Sequence, residues 1–133
     1  MSKCLFCQIA AGEIPGFIIH EDELFIVILD RYPGTKGHML IIPKRHAENV
    51  FELNESEAEA LMPLAKKMAE KVNEVLKPDG INFVQNNGKD AGQVIFHYHM
   101  HLVPRYKGDG IVITHAPSDV SLEELGEVAK LFK

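Results

Sequence analysis

No apolar run in this chain is longer than LFIVIL at positions 24–29, whereas a membrane-spanning helix needs about 20 such residues in succession. No membrane partner is therefore expected. The opening MSKCLFCQIA has neither the apolar core nor the cleavage pattern of a secretory signal, so the expectation is a cytoplasmic protein. Positive charge is in deficit, with 14 Lys and Arg against 19 Asp and Glu and a formal net charge of −5. Nucleic acid and anionic bilayers attract basic surfaces, so neither is expected as the main partner. Repeats, low-complexity tracts and long linkers are missing too, and residues 1–133 read as a single domain. A chain of this size buries about two thirds of its unfolded surface without disulfide staples.

Cysteine is also scarce: Cys4 and Cys7 are the two present, spaced C-x-x-C. In a reducing compartment such neighbours are a redox pair, half of a metal site, or two small hydrophobes. A thioredoxin-type pair opens a helix that follows a strand, and no room for a strand exists before Cys4. Zinc becomes the better option if ligands occur elsewhere.

Hydrophobic periodicity supplies the elements. CLFCQIAAGEI reads as a short helix ending near Gly12, and FIIH and LFIVILD as a hairpin across the acidic EDE turn. The MLII core of GHMLIIPKRH reads as a third strand, stopped by Pro43. Asn54 and Glu57 have capping-box spacing, and Leu61, Leu64, Met68, Val72 and Val75 continue at helical spacing to Leu76, where Pro78 and Gly80 follow. Pro63 must bend this helix or lie near its start. INFVQN and VIFHYHMHLV read as the last two strands, and Ser121 with Glu124 caps a final short helix. The expected fold is α+β: an antiparallel sheet of about five strands with one long helix and short terminal helices.

The densest signal is HYHMHLVPRY, where His97, His99 and His101 alternate. Strand side chains alternate between faces, so the three imidazoles leave one face together while Tyr98, Met100 and Leu102 pack on the other. A catalytic zinc held by all three is one reading. Nucleophilic catalysis by one histidine beside a phosphate is another. The row spans about 13 Å at ~3.3 Å per residue, which does not focus easily on one ion. A division of labour is easier to build, with His97 joining Cys4, Cys7 and His46 as a closed Cys₂His₂ zinc set and His99 left free.

His97 to Val103 match the H-φ-H-φ-H-φ-φ signature of the histidine triad (HIT) family of nucleotide hydrolases and transferases, and LFCQIAAGEIP, Asp30, GHMLIIPKRH, NNGKDAGQ and PRYKGDG extend the likeness over nearly the whole chain. The chain resembles bacterial and archaeal members, near the Hint and Fhit branches. The resemblance implies a HIT-like fold, a two-fold homodimer that joins its sheets, and a purine nucleotide or nucleotide conjugate as ligand. It implies that His99 attacks the α-phosphorus, that His101 contacts the phosphate and helps the leaving group depart, and that His38 stands beside the triad. Asn86, Gln93 and the Val94 amide match phosphate-binding positions, and Gly92 suits a backbone that approaches an anion closely. Asp30 matches the carboxylate on the ribose hydroxyls. Leu5, Phe6, Ile9 and Ile28 match the base slot, although on pattern alone they read as core. Zinc-binding relatives use C-x-x-C, a histidine after the third strand and the first triad histidine, which Cys4, Cys7, His46 and His97 fit; the implied zinc is structural.

A free imidazole has a pKa of ~6.5, so much of it is neutral and nucleophilic near pH 7 without a separate base. Hint-type members often place a hydroxyl residue three positions before the first triad histidine. Here that position is Val94, so the corresponding bond to a leaving group is not expected. Phosphoramidates and dinucleoside polyphosphates both remain candidate substrates. A zinc hydrolase with metal on the triad, and a nucleotide-binding or interaction protein with incidental turnover, are the alternatives. Lys44, Arg45 and Arg105 read as solvated charges, the EDE and ESEAE stretches as solvated acids, and His20 and His115 as histidines without a role.

Overall fold

The computed structural model describes residues 3–113 and 117–133. His115 lies outside the described residues. The strands β1 (Ile18–Glu21), β2 (Phe25–Leu29), β3 (Met39–Pro43), β4 (Gly80–Val84) and β5 (Met100–Arg105) form one sheet in the order β1-β2-β3-β5-β4, with every neighbouring pair antiparallel. The helices are α1 (Leu5–Ala10), α2 (Glu55–Leu76) and α3 (Leu122–Lys130). The α+β class and the long inserted helix are as the sequence predicts. Among the described residues no helix is long and apolar enough to cross a membrane.

The continuous apolar runs of β2 and β3 arise because both faces of those strands are covered. Phe25, Val27, Met39 and Ile41 join Met100 and Leu102 in a core under α2, where Leu61, Leu64, Ala65, Met68 and Val72 meet them. Ile26, Ile28, Leu40 and Ile42 point the other way and pack with Phe6 and Ile9 of α1. The period of two therefore sorts one apolar run into two cores. It also places His101, which pairs with Leu40 across the ladder, on the α1 side.

The α2 capping box is present: Asn54 Oδ1 accepts the Glu57 N–H at 2.8 Å and Glu57 Oε1 accepts the Asn54 N–H at 2.9 Å. The same carboxylate, only 1% exposed, takes two bonds from the Arg45 guanidinium at 2.8 and 3.1 Å. Glu57 is thus a correction to the reading of solvated acids, whereas Arg45 is exposed as expected and paired as well. Arg105 is a second correction, since it bonds Asp109, Asn82 and the Ile111 carbonyl. Lys44 pairs with Glu21 at 2.8 Å, and His20 bonds Asp22 within the hairpin. Pro63 does not lie near the start of α2 but inside it, on the exposed face, so the helix continues past it and the bond its missing N–H forfeits is lost where water can reach. Lys77, in the left-handed region at φ 51, ends the helix just before Pro78.

The predicted fifth strand starts later than expected. Only Met100–Arg105 is strand, so His97 and His99 precede it. Pro43 explains the boundary, for it has no N–H to continue the ladder and its carbonyl is taken by the His97 ring at 2.7 Å. The Tyr98 N–H goes instead to the Ala47 carbonyl at 2.6 Å. Tyr98 is 1% exposed in the α2 core, and its hydroxyl has no hydrogen-bond partner among the described residues. A buried, unbonded hydroxyl carries a desolvation penalty. Tyr98→Phe should therefore hold or gain about 1 kcal/mol of stability in urea unfolding; a clear loss would show that the hydroxyl is bonded in solution.

Candidate active site

On the α1 side of the sheet lies a cleft of about 1310 Å³. Of the residues predicted to bind a nucleotide, Leu5, Phe6, Ile9, Ile28, Asp30, Asn86, Gly92, Val94, His99 and His101 line it. Phe6, Ile9 and Ile28 are also core, being 3%, 8% and 4% exposed, so both readings of these residues hold at once. Gln93 is the exception. It is buried, its amide donates to the Glu48 and Ile95 carbonyls at 2.6 and 3.1 Å, and its oxygen accepts the Gly88 N–H at 2.8 Å. Its side chain braces the loop and does not reach the cleft. Ile14, Phe17, Arg31 and Tyr32 line the cleft without having been anticipated. Arg31 and Tyr32 directly follow Asp30, so their position was the one available signal.

The hydrogen bonds fix which nitrogen of each key imidazole carries the proton. The Gly34 N–H donates to His38 Nδ1 at 3.0 Å, which makes His38 Nε2 the protonated atom of a neutral ring. His38 Nε2 then donates to His101 Nδ1 at 2.9 Å, leaving His101 with an N–H at Nε2. His99 Nδ1 donates to the His97 carbonyl at 2.8 Å, so its lone pair is on Nε2. The His99 and His101 rings lie 5.1 Å apart, centre to centre. The arrangement offers a lone pair and an N–H donor side by side.

His97 serves a separate cluster. Its Nε2–H donates to Pro43, and its Nδ1 lone pair faces Cys4 Sγ at 3.3 Å and Cys7 Sγ at 3.4 Å. His46 Nδ1 lies 3.4 Å from Cys7 Sγ. The four donor atoms fall within 4.8 Å of one another, and two thiols with two imidazoles suit a tetrahedral structural metal. The His97–Pro43 bond supplies the orienting outer contact typical of a ligating histidine. Asp30, His38 and His101 form a second group of compact donors. Its His38 Nε2 is committed as an N–H donor, so the group works as a hydrogen-bond chain and not as a metal cage.

His38 sits where it does because its loop is tied down at two adjacent residues just before it. Thr35 Oγ1 donates to the Pro104 carbonyl at 2.6 Å, and the Tyr106 hydroxyl donates to the Lys36 carbonyl at 2.8 Å. Gly37 has φ 89, a left-handed conformation that favours glycine, and a Cβ there would also press on the tip of the Leu76 side chain, which would have to move.

Burial pushes the His101 imidazole down to about 4, with further lowering from its neighbours His99 and His38. Burial lowers His38 as well, against an opposing pull from Asp30. In the unfolded chain a histidine takes its proton near pH ~6.5. Below that pH the unfolded state binds protons that folded His101 refuses, so stability is full above ~6.5 and is lost as pH falls towards 4. Urea unfolding at several pH values in this window should show a decline that is shallower in His101→Asn. Identical slopes in the two proteins would contradict a depressed His101.

Comparison with known proteins gives a concordant picture. A family profile described as "HIT domain" matches residues 11–108. The chain is 44% identical over 131 residues to the Bacillus subtilis protein named "Protein hit", covering 96% of this chain and 90% of that one. It is 39% identical over 103 residues to a Schizosaccharomyces pombe protein named adenosine 5'-monophosphoramidase hnt1, covering 77% and 74%. Among solved structures, SMU.412c from Streptococcus mutans UA159 superposes with a TM-score of 0.94 at 39% identity over 99% of this chain and 84% of that one. A Zn-bound histidine triad family protein from Mycobacterium smegmatis superposes with a TM-score of 0.78 at 36% identity over 98% and 96%. With the sheet, the long helix and the histidine cluster all in agreement, the chain belongs to the HIT family.

Proposed function

We propose that this protein cleaves purine nucleotide conjugates at the α-phosphate through a nucleotidyl intermediate on His99. The observation that carries the reading is the orientation of that ring: Nδ1–H is anchored on the His97 carbonyl, Nε2 holds the lone pair, and the residue lines the cleft. A relative named as an adenosine 5'-monophosphoramidase supports hydrolase chemistry on a nucleotide.

In this mechanism His99 Nε2 attacks the α-phosphorus and the bond to the leaving group breaks, its electron pair departing with the leaving group, which takes up a proton from solvent where it needs one. The ring becomes cationic, since it keeps its Nδ1–H and gains a bond to phosphorus. The contact to the His97 carbonyl then turns charge-assisted and strengthens as the charge develops. Water attacks phosphorus next and gives up a proton to solvent, the P–N bond breaks with its electron pair returning to Nε2, and the nucleoside monophosphate leaves with His99 neutral again. Splitting one displacement into two lowers each barrier. His101 supplies a hydrogen bond from Nε2–H to a phosphate oxygen, with His38 and the Gly34 amide holding it in that form. Asn86, Gly92 and the Val94 amide receive the phosphate, Asp30 the ribose hydroxyls, and Leu5, Phe6, Ile9 and Ile28 the base.

Cys4, Cys7, His46 and His97 hold a structural zinc in this reading, which would cross-link α1 to the segment ahead of β5 and take no part in the displacement. The second chain of a homodimer would join at a free sheet edge, and β4 is one of the two edges. Light scattering at micromolar concentration should give the mass of a dimer, and a monomer would overturn that part.

AMP release from adenosine 5′-phosphoramidate and from diadenosine tetraphosphate tests the catalytic reading. Wild type should release AMP from at least one of them, His99→Asn should lose ~10³-fold or more, and a chelator should leave the rate of the folded protein intact. Loss on chelation with the fold preserved would move a metal into the reaction. Tight AMP binding with no turnover would make this a binding protein.

A further inference from the structure

The metal cluster and the cleft share more than proximity. α1 has six residues, too few to hold as a helix in water by their own hydrogen bonds. One part of it belongs to the cluster, for Cys4 is its N-cap and Cys4 Sγ accepts the Cys7 N–H at 3.5 Å. Another part is cleft wall, formed by Leu5, Phe6 and Ile9. Phe6 touches both centres directly: its ring meets His97 edge-on at 5.9 Å and His99 at 5.0 Å. A second link runs through the backbone, since the residue whose Nδ1 faces the thiols also presents the carbonyl that holds His99.

We propose that the Cys4, Cys7, His46 and His97 cluster and the nucleotide cleft are thermodynamically coupled through α1 and Phe6, so that zinc on the cluster tightens nucleotide binding and a bound nucleotide tightens zinc. The inference rests on the zinc and nucleotide readings above. A zinc ion fixes the N-terminus of α1 and the plane of His97, which removes freedom from the Phe6 wall and the His99 ring before a nucleotide arrives. A nucleotide packed on Leu5, Phe6 and Ile9 holds the same helix from its other side, so the second ligand orders less. Linkage requires the two effects to be equal in free energy.

His46 is the informative position, because it is exposed, follows β3, and is not part of the cleft wall. His46→Asn therefore alters AMP binding only by transmission. Calorimetry on the full chain should show AMP affinity ~5-fold or more weaker in zinc-depleted His46→Asn than in zinc-loaded wild type, with unchanged circular dichroism and recovery in excess zinc. In wild type, saturating AMP should raise zinc affinity by the matching factor in competition with a chromophoric chelator. Equal AMP affinity with and without zinc, or zinc affinity indifferent to AMP, overturns the coupling. Should His46→Asn unfold, the chelator competition in wild type decides alone. Metal stoichiometry by mass spectrometry and AMP binding to zinc-loaded wild type separate the premises: failure of either sinks that reading and the coupling with it.

Discussion

The fully buried His97 is the joint on which the two centres of this protein depend. Its ring is held by a 2.7 Å bond to the Pro43 carbonyl, its second nitrogen faces two thiols, and its own carbonyl receives the His99 ring. The first two contacts share one ring, so they constrain each other directly. Removing the Pro43 bond would let the ring rotate and take the lone pair from the thiols, while the peptide that orients His99 is held separately by the Tyr98 N–H on the Ala47 carbonyl. Proline is well suited to the accepting position. A residue with an N–H there would offer the segment before β5 a ladder bond, and an earlier strand would compete with the ring contact.

The surrounding fold supplies rigidity where that joint needs it. β2 and β3 are buried on both faces, so the strand that ends in Pro43 cannot slip by one residue without exchanging its two cores. The Arg45–Glu57 pair, immediately beside His46, ties the loop after β3 to the first turn of α2. Glu57 therefore has two jobs that its sequence pattern expresses unequally. As the third residue after Asn54 it announces a capping box. As the partner of Arg45 it is invisible in the sequence, because nothing local says that residues 45 and 57 meet.

The same distinction explains how much of the molecule could be read in advance. Elements set by local periodicity and caps were legible: α2 with its cap, the β1–β2 hairpin, β3 up to its proline, α3 after Ser121. The donor cluster of Cys4, Cys7, His46 and His97 was legible as a count of ligand types, and the family resemblance gave it an order. Contacts between distant segments were not. The start of β5 depended on a ring-to-carbonyl bond, Gln93 turned out to spend its amide on three backbone groups, and Arg31 with Tyr32 entered the cleft wall because the chain turns after Asp30. Hydrophobic alternation cannot report any of these, since each is decided by where another segment happens to end.

The chain from Gly34 to His101 shows how backbone polarity can settle a chemical question. An amide N–H can only donate, so His38 must accept at Nδ1 and pass a donor to His101, which in turn presents an N–H to the cleft. No choice of tautomer remains open. Burial resists protonating either ring, neighbouring imidazoles add to that resistance at His101, and Asp30 opposes it at both. An anionic phosphate entering the cleft changes that balance by favouring positive charge on the rings around it. The rings would therefore carry positive charge most readily beside a phosphate. That is the electrostatic order the proposed nucleotidyl-His99 would require, and it needs no basic surface elsewhere, so the acidic composition of the chain does not count against a phosphate ligand.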